Sequence, residues 1–368
     1  MTLDFASPRL VSVLAQDIRT RTPRPLRLME VCGTHTMSIS RYSLRQLLAG
    51  HVDLLSGPGC PVCVTANTDL DRMLAIARVP DTIIATFGDM LRVPGSYSSL
   101  AAEKTAGADI QVVYSPLDAV ALAAAAPGRR VVFLGIGFET TAPAVAAAVE
   151  LAARQGLTNF FVYSAHKTLP AALRFLLADD IGLNGLLLPG HVCAVTGRRA
   201  YDFLAAEYGV PAVVAGFTPV EILQAVRSLA DLINQGESAV LNAYARVVRE
   251  DGNPAARNLI DRVFVPADAA WRGIGVIPAS GLALAPAYAA FDAARAFPAP
   301  AEPTMENPAC RCGLVIRGKL KPPACSQFAR ACTPLHPVGP CMVSSEGACA
   351  AYYKYERHTQ QGGGGDAR

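Results

Sequence analysis

The sequence lacks what would take it to a membrane or to nucleic acid. No apolar run reaches the roughly 18 residues that a membrane-spanning helix needs. The longest, around "AVALAAAAPG", is cut by Pro127 and Gly128. There is no dense Lys/Arg run, and a formal net charge of +3 over 368 residues is too weak a bias to imply a nucleic-acid partner. No Gly-x-Gly-x-x-Gly is present. The N-terminal "MTLDFASPRLVSVLAQDIRT" has an early Asp and an amphipathic helical pattern, unlike a secretory signal. These absences predict a cytoplasmic protein without membrane or nucleic-acid partners.

What is abundant is apolar surface and cysteine. Hydrophobic residues make up 51% of the chain and charged residues 17%, the balance of a core-rich globular protein. Its length suggests two or three domains. There are ten cysteines, and six of them fall between Cys310 and Cys349. In a reducing compartment that density points to metal or redox chemistry, not to structural disulfides.

Eight short apolar runs punctuate the chain up to Phe217: "LRLMEV", "VDLLS", "TIIATF", "IQVVY", "RVVFLGI", "NFFVYS", "GLLLPG" and "PAVVAGF". Each is brief and rich in Val, Ile, Leu or Phe, as a buried strand is. Helical stretches such as "NTDLDRMLAIA" and "PAVAAAVELAARQG" lie between most of them, so the fold class is α/β with parallel sheets. Four runs precede residue 125 and four follow it, which predicts two similar four-stranded halves. A helix capped by Thr218 follows, with Pro219 in its first turn, Glu221 three residues on and Gly236 at its end. Residues 240–300 read as helices and loops, and residues 305–352 as an aperiodic, Pro- and Gly-rich region organised by a metal.

In parallel α/β sheets ligands gather at the carboxyl ends of strands, and the unusual polar stretches lie there. "SGPGCPVCV" follows the second run. Pro58, Gly59 and Pro61 stiffen Cys60 and Cys63, and a helix opening near Asn67 or Thr68 lowers the pKa of nearby thiols. Redox and metal uses of this C-x-x-C both stay open, against two idle core cysteines. "CGTH" after the first run sets Cys32 three residues from His35, a pair suited to a metal or to a base-activated thiol. In "GFETTAP", Glu139 suits a polar ligand, and Thr140 or Thr141 caps the helix that runs through Pro143. His166 and Lys167 of "SAHK" and His191 of "PGHV" are lone polar groups, each equally readable as structural. Cys193 reads as a small core residue. Four thiolates from the C-terminal six can hold one [4Fe–4S] cluster. Zinc usually takes tight C-x-x-C pairs, which this region does not have.

Together "EVCGTHT", "GPGCPVCVT", "GIGFETTAP", "SAHK", "PGHV" and "GPCMVSSEGACAAYYKY" resemble the HypD family of hydrogenase maturation proteins, from about residue 26 to 355. The resemblance implies two similar domains with small parallel β-sheets flanked by helices, plus a mainly helical or irregular Fe–S domain. On this chain these would be residues 24–126, residues 127–218, and residues 1–23 with 219–358, followed by a flexible tail at 359–368. It further implies a scaffold, not a conventional turnover enzyme, that builds the Fe(CN)2CO group of [NiFe]-hydrogenase with HypC and HypE partners. Cys32 would hold the transient iron with His35 nearby, Cys60 and Cys63 would be redox active, and Glu346 would match a further motif position. The pattern C-x14-C-x6-C-x16-C would assign the [4Fe–4S] cluster to Cys310, Cys325, Cys332 and Cys349, leaving Cys312 and Cys341 outside it. The alternative function is an Fe–S-dependent thiol–disulfide oxidoreductase acting on other proteins. A zinc-stabilised binding module is a third.

Overall fold

A computed structural model describes residues 7–178, 181–297 and 302–357; the expected tail at 359–368 lies outside the described residues. All eight apolar runs form strands: β1 (Leu26–Glu30), β2 (Val52–Ser56), β3 (Thr82–Thr86), β4 (Asp109–Val112), β5 (Arg130–Gly135), β6 (Phe160–Ser164), β7 (Gly185–Pro189) and β8 (Ala212–Ala215). A ninth, β9 (Val240–Asn242), joins them. They make two parallel sheets, ordered β2-β1-β7-β8-β9 and β4-β3-β5-β6. Strands β3, β7 and β8 are buried along their whole length. Strands covered on both faces have no polar side to show, and so they read as continuous apolar runs.

The pairing corrects the expectation of two halves consecutive in the chain. The first sheet takes β1 and β2 from one end of the α/β region and β7 to β9 from the other, while β3 to β6 form the second sheet. The chain therefore leaves the first sheet after β2 and returns to it at β7. The outgoing crossover carries the C-x-x-C and the returning one carries "SAHK". One apolar core, with Met29, Leu55 and Leu188 from the first sheet and Ile84, Val132 and Leu134 from the second, runs between them.

Two expectations for the flanking regions also change. The helix Pro8–Arg21 belongs with the first sheet: Ala15 and Ile18 share a core with Leu28, Leu187 and Val213 and with Leu229 of the helix Pro219–Gln235. That second helix has the expected Thr218–Glu221 capping box and ends at Gly236 in the left-handed region, φ 69°. Residues 264–284, expected as helix and loop, form an antiparallel hairpin of β10 (Phe264–Trp271) and β11 (Gly275–Leu284). Pro266 and Pro278 hid it, and a two-stranded ribbon tolerates both because each strand keeps an open edge. Among the described residues no helix is long and apolar enough to cross a membrane.

Candidate functional site

The CGTH loop is built on a buried carboxylate. Glu30 ends β1 wholly buried, accepting a hydrogen bond from the Cys32 backbone N–H at 2.9 Å and another from the Thr36 hydroxyl. Burial pushes its pKa up to about 7, and those hydrogen bonds pull the other way. Cys32 is the N-cap of the helix Gly33–Arg41; its side chain makes no capping hydrogen bond, but the nearby backbone N–H groups of His35 and Thr34 act to lower its pKa. Such donors favour a thiolate. Cys32 is nevertheless only 1% exposed, and that desolvation raises its pKa, so the thiol keeps its proton until something displaces it.

Cys60 and Cys63 are joined as a disulfide, with Cα atoms 5.2 Å apart, and both are buried. The C-x-x-C loop touches the CGTH loop through backbone: the Gly33 N–H donates to the Gly59 carbonyl at 3.2 Å. A Cβ on Gly59 would collide with the Cys32 backbone, and one on Gly33 would collide with Glu346. Two glycines thus let three loops meet, the third being "SSEG", where Glu346 accepts from the Thr34 hydroxyl at 2.7 Å. The helix Asn67–Ala77 begins where expected.

His35 and His191 stand differently toward Cys32. The His35 imidazole is fully buried, its Nε2 donates to the Gly216 carbonyl at 2.9 Å, and its Nδ1 has no hydrogen-bond partner. The influence of His35 on Cys32 runs through its backbone N–H, which acts to lower the pKa of the thiol. His191, at the start of the helix Gly190–Thr196, brings Nδ1 to 4.0 Å from the Cys32 sulfur. The two imidazoles each pack on Phe217, with centroids 5.1 Å apart in both pairs. Burial lowers the pKa of both rings to about 4, so each is neutral at pH 7.

On the second sheet Thr141 stands at the N-cap of the helix Ala142–Arg154 without capping it. Its hydroxyl donates to the Phe138 carbonyl at 3.2 Å, and this corrects the expected cap. Glu139 instead caps a neighbour, its Oε1 accepting from the Leu169 N–H at 2.9 Å, while its buried Oε2 has no partner. Lys167, 2% exposed, reaches Asp69 at 3.3 Å, and the Tyr163 hydroxyl donates to the other Asp69 oxygen at 3.1 Å. Asp69 lies in the first turn of the helix after the C-x-x-C, so this pair ties the two crossovers together. His166 is buried, with Nδ1 3.0 Å from the Ser164 hydroxyl and Nε2 unpartnered. Cys193 is wholly buried, as expected of a core residue.

Glu139 makes a pH prediction. Burial raises its pKa from 4.5 to about 7, so the unfolded chain ionises first and stability falls as pH rises between those values. The full loss is about 3 kcal/mol. Glu139→Gln has no charge to bury. Urea unfolding is expected to show the variant gaining on the parent from pH 4.5 to pH 8, and a constant difference would contradict the buried neutral carboxyl.

The C-terminal cysteines converge. Cys310, Cys312, Cys325, Cys332 and Cys349 line one cavity, together with Phe328, Val338 and Met342. A run of thiol contacts links Cys310 to Cys312, Cys312 to Cys341, and Cys341 to Cys349. The turn Pro340–Met342 packs on the turn Pro61–Val64, setting Cys341 close to Cys60 and Cys63.

The HypD family profile, described as "Hydrogenase formation hypA family", matches residues 9–356. A hydrogenase maturation factor HypD of Rhodobacter capsulatus is 48% identical over 94% of this chain and 93% of its own length. The HypD of Escherichia coli K12 is 44% identical over 97% and 98%. That of Azotobacter vinelandii is 44% identical over 92% and 91%. The chain belongs to the HypD family. It is therefore a hydrogenase maturation factor, and the loops that carry the HypD resemblance, CGTH, C-x-x-C and SSEG, are those that meet in space.

Other contributors to this HypD site escaped the sequence reading. Glu30 was visible as the one acid of the run "LRLMEV". Arg272, 6% exposed, donates its backbone N–H to the Val64 carbonyl at 2.8 Å and its guanidinium to the Thr65 carbonyl at 3.1 Å and to Asn67. It clamps the chain leaving the C-x-x-C from a hairpin that itself went unrecognised. The only signal for it was its position beside the single tryptophan, Trp271.

Proposed function

We propose that this protein is a redox-active scaffold for assembling the Fe(CN)2CO group of [NiFe]-hydrogenase. The observation that carries the reading is the backbone contact between Gly33 and Gly59, which sets the Cys60–Cys63 disulfide loop beside the CGTH loop. The iron is cargo. Cys32 binds it as a thiolate, and the incoming metal displaces the proton that burial holds there. His191, neutral and 4.0 Å from that sulfur, supplies a second donor from this chain. A HypC-type chaperone brings a further thiolate, and a HypE-type partner delivers the cyanide-equivalent ligands. Glu30 fixes the Cys32 backbone, and Glu346 fixes Thr34 beside it.

The C-terminal cavity suits a [4Fe–4S] cluster on its donor set, since Cys310, Cys325, Cys332 and Cys349 all face one largely apolar space. Bound there, the group exchanges single electrons. Cys312, on the wall of that cavity, and Cys341, beside the Pro61–Val64 turn, connect it to the disulfide. As a dithiol they reduce Cys60–Cys63 by exchange: one S–S bond forms between Cys312 and Cys341, the other breaks, and two protons pass to Cys60 and Cys63. The burial of Cys60 and Cys63, 5% and 1% exposed, favours this internal use over an oxidoreductase acting on the disulfides of other proteins.

The test is a double variant. Cys60→Ala/Cys63→Ala is expected to retain iron but yield no Fe(CN)2CO infrared bands in the complex with its partners. Parental band intensity would remove the redox role.

A further inference from the structure

The cysteine-rich segment is charged mainly in one sense. Residues 305–357 contain seven Arg and Lys against three Glu, a surplus of four in a chain whose total surplus is three, so the remainder is slightly acidic. Two of the glutamates turn inward: Glu346 to Thr34, and Glu356, with a side chain 4% exposed, to Arg45. Glu306 alone stays exposed, so the outward charge of the segment is predominantly basic.

One arginine lines the cavity and two more stand near it. Arg311 lines it and is exposed. Phe328 lines it too, packed edge-on against Tyr353 with centroids 6.2 Å apart, and Arg357 stands 4.5 Å from the centre of the Tyr353 ring. Arg330 is exposed in the tight turn closed by the Cys332 N–H donating to the Gln327 carbonyl at 2.9 Å. Leu335, 84% exposed, stands three residues beyond Cys332. A basic rim around an apolar spot is how a small, fast-exchanging interface is steered.

We propose that this face docks an acidic one-electron donor protein of the iron–sulfur class. The inference rests on the scaffold reading above, in which electrons must enter somewhere. Cys60 and Cys63 are too buried for a protein donor to reach, whereas Cys310, Cys325 and Cys349 are half-buried at the rim. Two reduced donors give one electron each, and with two protons from solvent one disulfide becomes two thiols.

The probe is a plant-type [2Fe–2S] ferredoxin, titrated against the full chain with its iron and sulfide restored. Its Kd is expected to rise steeply with salt. Arg330→Glu/Arg357→Glu is expected to weaken binding at least about ten-fold and to slow ferredoxin-driven reduction of Cys60–Cys63 in step, while dithionite-driven reduction is unchanged. The milder Arg330→Gln/Arg357→Gln is expected to fall between. Salt-independent binding, or parental affinity in the reversed variant, would overturn the proposal. So would a polyuridine RNA or a phosphatidylglycerol vesicle binding this face while ferredoxin does not. If dithionite leaves the parental disulfide oxidised, the relay is wrong, and the ferredoxin Kd still decides the docking face.

Discussion

Cys341→Ala is expected to slow reduction of Cys60–Cys63 by about 100-fold when electrons enter through the C-terminal cysteines, the scale on which losing a pre-positioned reacting group is felt. Cys341 contacts the thiols of Cys312 and Cys349 on one side, and its turn packs on the Cys60–Cys63 turn on the other. No other cysteine of the C-terminal six combines those two positions in the thiol run. Cys312→Ala is expected to act alike, because Cys341 then has no partner with which to close a disulfide. Cys193→Ala removes a buried thiol outside the run and is expected to leave the rate alone. The readout is the mass added by alkylating thiols at timed intervals after dithionite. A parental rate in Cys341→Ala would show that electrons reach the disulfide by another route.

Gly59→Ala carries the largest expected structural effect. The added methyl would meet backbone atoms of Val31 and Cys32, which cannot swing aside as the end of a side chain can. Either the C-x-x-C loop or the CGTH loop must move. Overpacking of this kind costs about 3 kcal/mol. The displacement parts Cys32 from the dithiol, so iron retention is expected to fall with stability. Gly128→Ala is the control, since nothing lies within 4 Å of its added methyl. Urea midpoints separate the two; an unshifted midpoint in Gly59→Ala would mean that the loops do not touch as described.

How much of this was legible in the sequence depended on whether the signal was local. Strands β1 to β8 were, because buried parallel strands announce themselves as short Val-, Ile- and Leu-rich runs. So was the Thr218–Glu221 box, which is chemistry within four residues. The pairing of β1 with β7 was not: it joins residues some 160 positions apart through side chains that any apolar strand offers. Hairpin β10–β11 was obscured by Pro266, Pro278 and a run of alanines that carry no period. At the site, the cysteines were legible by type and spacing. Their grouping was not, because Cys341 earns its place through contacts with Cys312 and with the turn of residues 61–64, which no spacing rule encodes. His191 was discounted as a lone histidine, and only the fold sets it against Cys32.

The central claim is that Cys32 holds a cargo iron separate from the iron of the C-terminal cysteines. Iron quantification and infrared spectroscopy on the chain co-purified anaerobically with a HypC-type partner test it most directly. The expected result is more than about four irons per chain, the content of one [4Fe–4S] cluster, with bands of bound CN and CO. Cys32→Ala is expected to lose the bands and the extra iron while keeping the brown chromophore. Bands that persist in Cys32→Ala, or a parental complex with cluster iron alone and no bands, would contradict it.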